Sequence, residues 1–141
     1  MCGIFGFITT ETYRGNGDRR KFIEQACVAG TVRGDDGAGV FLVKHKMEDM
    51  ETADWIKHPS DGYSLVATAD YQSRLGIAAK IEDLRAVIGH NRSATMGVID
   101  IANTHPFQEG PITLVHNGTL SSSGKHPQAQ RQGDFKRSLF V

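Results

Sequence analysis

The chain lacks most of what would place it in a specialised class. It has only 2 cysteines, Cys2 and Cys27, too few for a disulfide framework and without the CxxC spacing of a metal or redox site. No apolar run approaches the ~20 residues needed to cross a bilayer. Its 16 basic and 16 acidic side chains cancel, so it has no basic excess of the kind a general nucleic-acid binder carries. The opening Met1-Cys2-Gly3-Ile4-Phe5 has neither the basic flank nor the long apolar stretch of a secretory signal. None of the six histidines forms HExxH or another close metal pair. These absences predict a soluble cytoplasmic globular domain with no membrane or nucleic-acid partner, no metal and no cofactor. A length of 141 residues fits one domain that can bury roughly two-thirds of its unfolded surface.

The residues that are present suggest a mixed fold. Cys2–Ile8 is short, apolar and aromatic, as in a buried strand, and residues 11–17 read as a turn. Asp18 is placed to cap a helix over residues 19–30, with Phe22, Ile23, Ala26 and Cys27 on one face and Gly30 as its stop. Val40–Val43, the neighbourhood of Trp55-Ile56, Arg85–His90 and Ile112–His116 read as strands, and Asp61–Leu75 as a helix ended by Gly76. Helices beside non-consecutive strands predict an α+β or layered α/β domain. Residues 121–141 carry 4 basic and 1 acidic side chains. They open on Ser121-Ser122-Ser123-Gly124, so a polar basic tail, loop or disorder, is expected there.

Four places could carry chemistry. If Met1 is removed, which a small second residue permits, Cys2 bears a thiol and a free α-amine on one residue. With the amine near pKa ~7.7–8.0 and the thiol near ~8.5, the residue can supply both nucleophile and base. By position alone a small core residue of the first strand is the plainer reading of Cys2. Arg33-Gly34-Asp35-Asp36-Gly37 precedes a strand and lets the backbone pass close to a neighbour, as an ordinary glycine loop also would. Its spacing is not GxGxxG, so no dinucleotide site is supported. Gly89-His90-Asn91-Arg92-Ser93-Ala94-Thr95-Met96-Gly97 brings an arginine, the side chain suited to bidentate carboxylate binding, to a strand end, where a surface ion pair is the plain alternative. Asn117-Gly118 offers a side-chain amide and an unobstructed backbone N–H, either an oxyanion hole or a simple turn. His90, His105 and His116 read as structural hydrogen-bonders.

In order, Met-Cys-Gly-Ile-Phe-Gly, Arg-Gly-x-Asp-x-x-Gly, Gly-His-x-Arg-x-Ala-Thr-x-Gly, Asn-x-His-Pro-Phe and His-Asn-Gly resemble the class II glutamine amidotransferases, which are N-terminal-nucleophile hydrolases. The resemblance runs over residues 1–120, and the third block looks most like the glutaminase domain of glucosamine-6-phosphate synthase. It implies a four-layer αββα sandwich with mainly antiparallel sheets. It also implies roles for individual residues. Cys2 would be the nucleophile, Asn117 and Gly118 the oxyanion donors, Arg92 with Thr95 and Gly97 the holders of the glutamine α-carboxylate, and Arg33 and Asp36 the braces of the loop beside the nucleophile. Glutamine would be the substrate, and a separate ammonia-using synthase chain a partner. Two departures stand out. Met96 replaces a second histidine of the pattern. The acidic motif that binds the glutamine α-amino group has no counterpart after His-Asn-Gly, because Lys136-Arg137-Ser138 lies about there and Asp134 fits poorly by position. A truncated domain is expected, and with it two further readings: a catalytically impaired or non-catalytic fragment, or an N-terminal-nucleophile hydrolase acting on another amide.

Overall fold

A computed structural model describes residues 1–9, 19–45, 51–77, 84–95 and 97–118. The chain runs β1 (Gly3–Ile8), α1 (Arg19–Gly30), β2 (Gly37–His45), β3 (Glu51–His58), α2 (Gly62–Ala67), α3 (Ala69–Tyr71) continuing as a π-helical turn over Gln72–Ile77, β4 (Leu84–Arg92), β5 (Phe107–Glu109) and β6 (Ile112–Leu114). Strands β1, β4, β2 and β3 form one antiparallel sheet in that order, and β5–β6 form a separate antiparallel hairpin. The domain is therefore α+β with antiparallel sheets. The turn expected at 11–17, the cap at Asp18 and the tail at 121–141 lie outside the described residues.

The sheet's period of two divides its side chains between two faces. Ala38, Val40 and Leu42 of β2, Ile56 of β3 and Val87 of β4 point to the face covered by α1 and α2, where Ile23, Cys27, Leu65, Tyr71 and Leu75 complete the core. The helical face expected on α1 is narrower than the sequence suggested. Ile23 and Cys27 are buried, while Phe22 is partly exposed and packs edge-on against Phe7.

Asn91 joins this core to the end of β4. At the carboxyl end of α1 the Thr31 N–H turns to Val28 O, leaving the Cys27 carbonyl without the usual helical donor. The fully buried Asn91 side chain supplies that donor at 3.0 Å. Gly30 is needed for this approach, since a Cβ there would lie 2.0 Å from Asn91 Oδ1. Gly30 ends α1 as expected from sequence and also permits this close packing.

The helix expected across 61–75 is broken. Asp61 caps α2 through Ser64 N–H at 2.6 Å, and the chain turns extended at Thr68. The Thr68 hydroxyl donates to Leu65 O at 2.8 Å and accepts from Tyr71 N–H at 3.1 Å. Such side-chain bonding competes with a continuous helix and restarts it as α3. Gly76 lies inside the π-helical turn and does not end it.

Candidate active site

Antiparallel pairing brings three chain segments to one end of the sheet. Gly3 at the start of β1 pairs with Asn91, and Gly37 at the start of β2 pairs with Arg92. Cys2, immediately before β1, therefore lies beside the stretch just after β4. Ser93 N–H donates to Cys2 Sγ at 3.3 Å, and the thiol reaches Ser93 O at 3.6 Å.

Asp36 holds the two peptide groups that flank Ser93. Its N–H donates to Arg92 O at 3.0 Å, and its carboxylate accepts Ala94 N–H at 2.7 Å. A charged acceptor makes the second bond stronger than a neutral one. Gly34 permits the approach, because a Cβ there would stand 2.4 Å from the Arg92 carbonyl carbon. Arg33 reaches the other side of Cys2. Its Nε donates to Cys2 O at 3.2 Å, and an Nη lies 2.9 Å from the Met1 thioether. Asn117, 115 residues away in sequence, donates its side-chain amide to the same Cys2 carbonyl at 3.1 Å. Gly118 follows at φ +119°, a conformation that favours glycine.

The other sequence-predicted residues occupy the end of β4 and the segment after it. Arg92 is 4% exposed, and its guanidinium donates to Val98 O at 3.3 Å. Asn103 Nδ2 shares that carbonyl at 3.2 Å. Asp100 organises the same loop, accepting Asn103 N–H at 2.7 Å on its carboxylate and the Thr104 hydroxyl at 2.8 Å on its carbonyl. Thr95 is exposed, and Gly97 has φ +80°. Met96 lies outside the described residues. The structure thus joins Cys2, Arg33, Asp36 and Asn117 through direct contacts or the Ser93 backbone, and places Arg92 at the end of β4 with its guanidinium on the flanking loop.

Behind Asn117 lies a stack of three imidazoles on the sheet face opposite α1 and α2. The His105 ring centroid is 4.0 Å from His90, 4.7 Å from His116 and 4.2 Å from Phe107. His90 Nε2 donates to His116 O at 3.1 Å, so that nitrogen carries the hydrogen in the neutral ring. His105 departs from the expectation of a hydrogen-bonder: among the described residues neither ring nitrogen has a partner, and the ring is held by stacking.

Burial is the main cause that lowers all three imidazole pKa values. His90 falls to about 4, with His116 and Arg92 charges adding to the shift and hydrogen bonds to His116 O and Asn117 opposing it. His105 falls further, with His90, His116, Arg92 and Lys57 acting in the same direction, and His116 is lowered by burial. The stack is neutral at pH 7. Burial and then Glu24 push the Cys27 thiol up to about 12, which makes it inert in the folded protein.

Sequence reasoning missed two contributors. Ser93 acts through its backbone, which no side-chain motif reports. Lys57 donates to Thr104 O at 3.0 Å and Pro106 O at 3.3 Å, tying β3 to the histidine segment. The sequence gives it little signal, because β3 also carries Glu51 and Asp54. Among the described residues no group of three or more His, Cys, Asp or Glu is arranged to hold a metal ion, and no helix is long and apolar enough to cross a membrane.

The chain is 30% identical over 129 residues to a glutamine–fructose-6-phosphate aminotransferase of Staphylococcus epidermidis, a match covering 86% of this chain and 18% of that protein. Its counterparts in Streptococcus pyogenes and Aliivibrio fischeri each match at 31% over 124 residues, covering 86% of this chain and 17% of theirs. This chain is homologous to part of the glutamine–fructose-6-phosphate aminotransferases. The family resemblance carried by the five motifs therefore holds. The chain spans less than a fifth of the length of these aminotransferases, and no protein-family model matches it.

Proposed function

We propose that this chain is a class II glutamine amidotransferase unit, residues 1–120 forming its amidotransferase part, and that it hydrolyses the glutamine side-chain amide to glutamate and ammonia. The observation that carries this reading is the meeting of Cys2 with Asn117, 3.1 Å apart through the Cys2 carbonyl, beside a thiol that receives the Ser93 N–H.

The chemistry begins once Met1 is removed and the Cys2 nitrogen becomes a free amine. That amine takes the thiol proton, and the sulfur bonds to the side-chain carbonyl carbon of glutamine. The electron pair displaced onto oxygen gives a tetrahedral oxyanion. The Asn117 amide nitrogen bears two hydrogens; one serves Cys2 O, and the second, together with the Gly118 N–H, stabilises the oxyanion. As the oxyanion collapses, the carbon–nitrogen bond breaks and the protonated Cys2 amine passes its proton to the departing nitrogen, releasing ammonia. Water then hydrolyses the glutamyl thioester, glutamate leaves, and the thiol is restored. Arg92, with Thr95 and Gly97 beside it, holds the substrate α-carboxylate. The ammonia serves a separate synthase chain, and the site of action is the cytoplasm.

The four-layer αββα arrangement belongs to this reading. Its support is the sheet face opposite the helices, where pairing places Ile4, Ile8 and Trp55 at 48%, 85% and 39% exposure. A second sheet would bury that apolar surface.

The test is release of glutamate and ammonia from glutamine by the purified chain and by Cys2→Ala. Turnover in the parent and none in the variant is the expected result. A folded parent without turnover would overturn the reading in favour of a non-catalytic fragment. Turnover of other amides but not of glutamine would point to a different N-terminal-nucleophile hydrolase.

A further inference from the structure

We propose that His90 is a positioning residue for the Asn117–Gly118 donors, acting through the carbonyl of His116. The inference rests on the proposed glutaminase reading for its effect on rate, but not for its effect on the backbone.

The geometry is direct. Strand β6 ends at Leu114, and the chain crosses from the hairpin to Cys2 over Val115–Gly118. The His116 carbonyl belongs to the same peptide plane as the Asn117 N–H. Holding its oxygen with His90 Nε2 at 3.1 Å therefore orients the peptide that leads into Asn117. The Asn117 side chain also interacts with His90.

The anchor is stiff. β4 is paired on both sides, and His90 stands opposite Ile4 of β1 and Gly39 of β2. At Gly39 a Cβ would lie 2.1 Å from His105 O, so the sheet lies flush against the histidine segment. The His90 ring is 1% exposed and stacked on His105, itself stacked on Phe107, and cannot rotate without moving both.

The electrical surroundings keep it neutral. The charged and titratable groups facing the stack are Lys57 from β3, Arg92 from β4, and His105 and His116 themselves, with Asp100 acting on Lys57 from the loop. The Ile4, Gly39 and Phe107 neighbours carry no charge. A neutral His90 presenting Nε2–H is the donor this arrangement keeps at pH 7.

Three substitutions separate positioning from bulk packing. In His90→Gln the side-chain amide nitrogen sits at about the reach of Nε2. In His90→Asn it falls one bond short. In His90→Phe the ring volume remains without the donor. Glutaminase kinetics should show kcat reduced about tenfold or more in His90→Phe and His90→Asn with KM within about threefold, because the oxyanion donors act in the transition state. His90→Gln should recover most of the loss. Independently of activity, amide hydrogen exchange at Asn117 and Gly118 should accelerate about tenfold in His90→Phe and His90→Asn but not in His90→Gln, with Val87 and Ile88 in β4 unchanged. Equal effects of Gln and Asn, or unchanged exchange at 117 and 118 in the donor-less variants, would overturn the proposal. If His90→Phe does not fold, the Gln–Asn pair decides. A parent chain without glutaminase activity would fail the function reading alone, because the exchange comparison still decides whether His90 holds this peptide.

Discussion

Lowering the pH from 7.5 to 5 should destabilise the fold through the histidine stack, and the size of the effect follows from burial. His90 has an ordinary imidazole pKa of 6.5 when unfolded and about 4 when folded, because folding removes it from water and puts it beside other cations. Between those values the unfolded chain binds a proton that the folded chain refuses, so stability falls as pH falls. The contribution is fully present above about pH 6.5 and is lost progressively toward pH 4. For this shift the loss from His90 alone is about 2 kcal/mol by pH 5 and about 3 kcal/mol at its limit. His105 and His116 are lowered in the same direction and add to the loss. Against a typical domain stability of ~5–15 kcal/mol, this is a large fraction. Urea unfolding at constant ionic strength, at pH 7.5, 6.5, 5.5 and 5, measures it. His90→Gln removes one titrating ring and should flatten the dependence between pH 6.5 and 5. Constant stability over the range, or an unchanged slope in His90→Gln, would refute the reasoning, as would imidazole NMR titrations near 6.5 for all three rings.

Other outcomes test other parts of the structure. In the native protein iodoacetamide should label Cys2 and spare Cys27 until urea exposes it, with peptide mapping as the readout. Gly62→Ala would place a Cβ 2.0 Å from Cys27 O where α1 and α2 touch, and should lower stability by about 2 kcal/mol or more in urea unfolding. Asp36→Ala removes the acceptor for Ala94 N–H, and should cost about 1.5–3 kcal/mol by the same measurement while slowing Cys2 alkylation. Arg92→Gln should raise KM for glutamine about tenfold or more while alkylation of Cys2 by a neutral reagent changes little.

Much of this was legible because apolar pattern and turn residues agreed. The strand at Cys2–Ile8 and the helix over 19–30 fall within a residue of β1 and α1. Cys2, Asn117 and Asp36 stood out because their side chains do the contacting. The hidden parts depend on tertiary contact. The strand expected across Ile112–His116 stops at Leu114 because His116 turns toward His90. β5 is only Phe107–Glu109, too short for a period to show. Gly30 reads as a stop from sequence, yet its meaning depends on Asn91, 61 positions away and invisible to any local pattern. The hydrogen bond at Cys2 Sγ comes from the Ser93 backbone, which any residue except proline could supply.

The central claim is that sulfur and amine on Cys2 together form the reactive group. Intact-mass analysis of the purified chain after exposure to a glutamine-mimicking electrophile tests it most directly. The account requires a mass lacking Met1 and carrying one adduct, mapped to Cys2 and absent from Cys2→Ala. Retained Met1, or an adduct on any other residue, would contradict it.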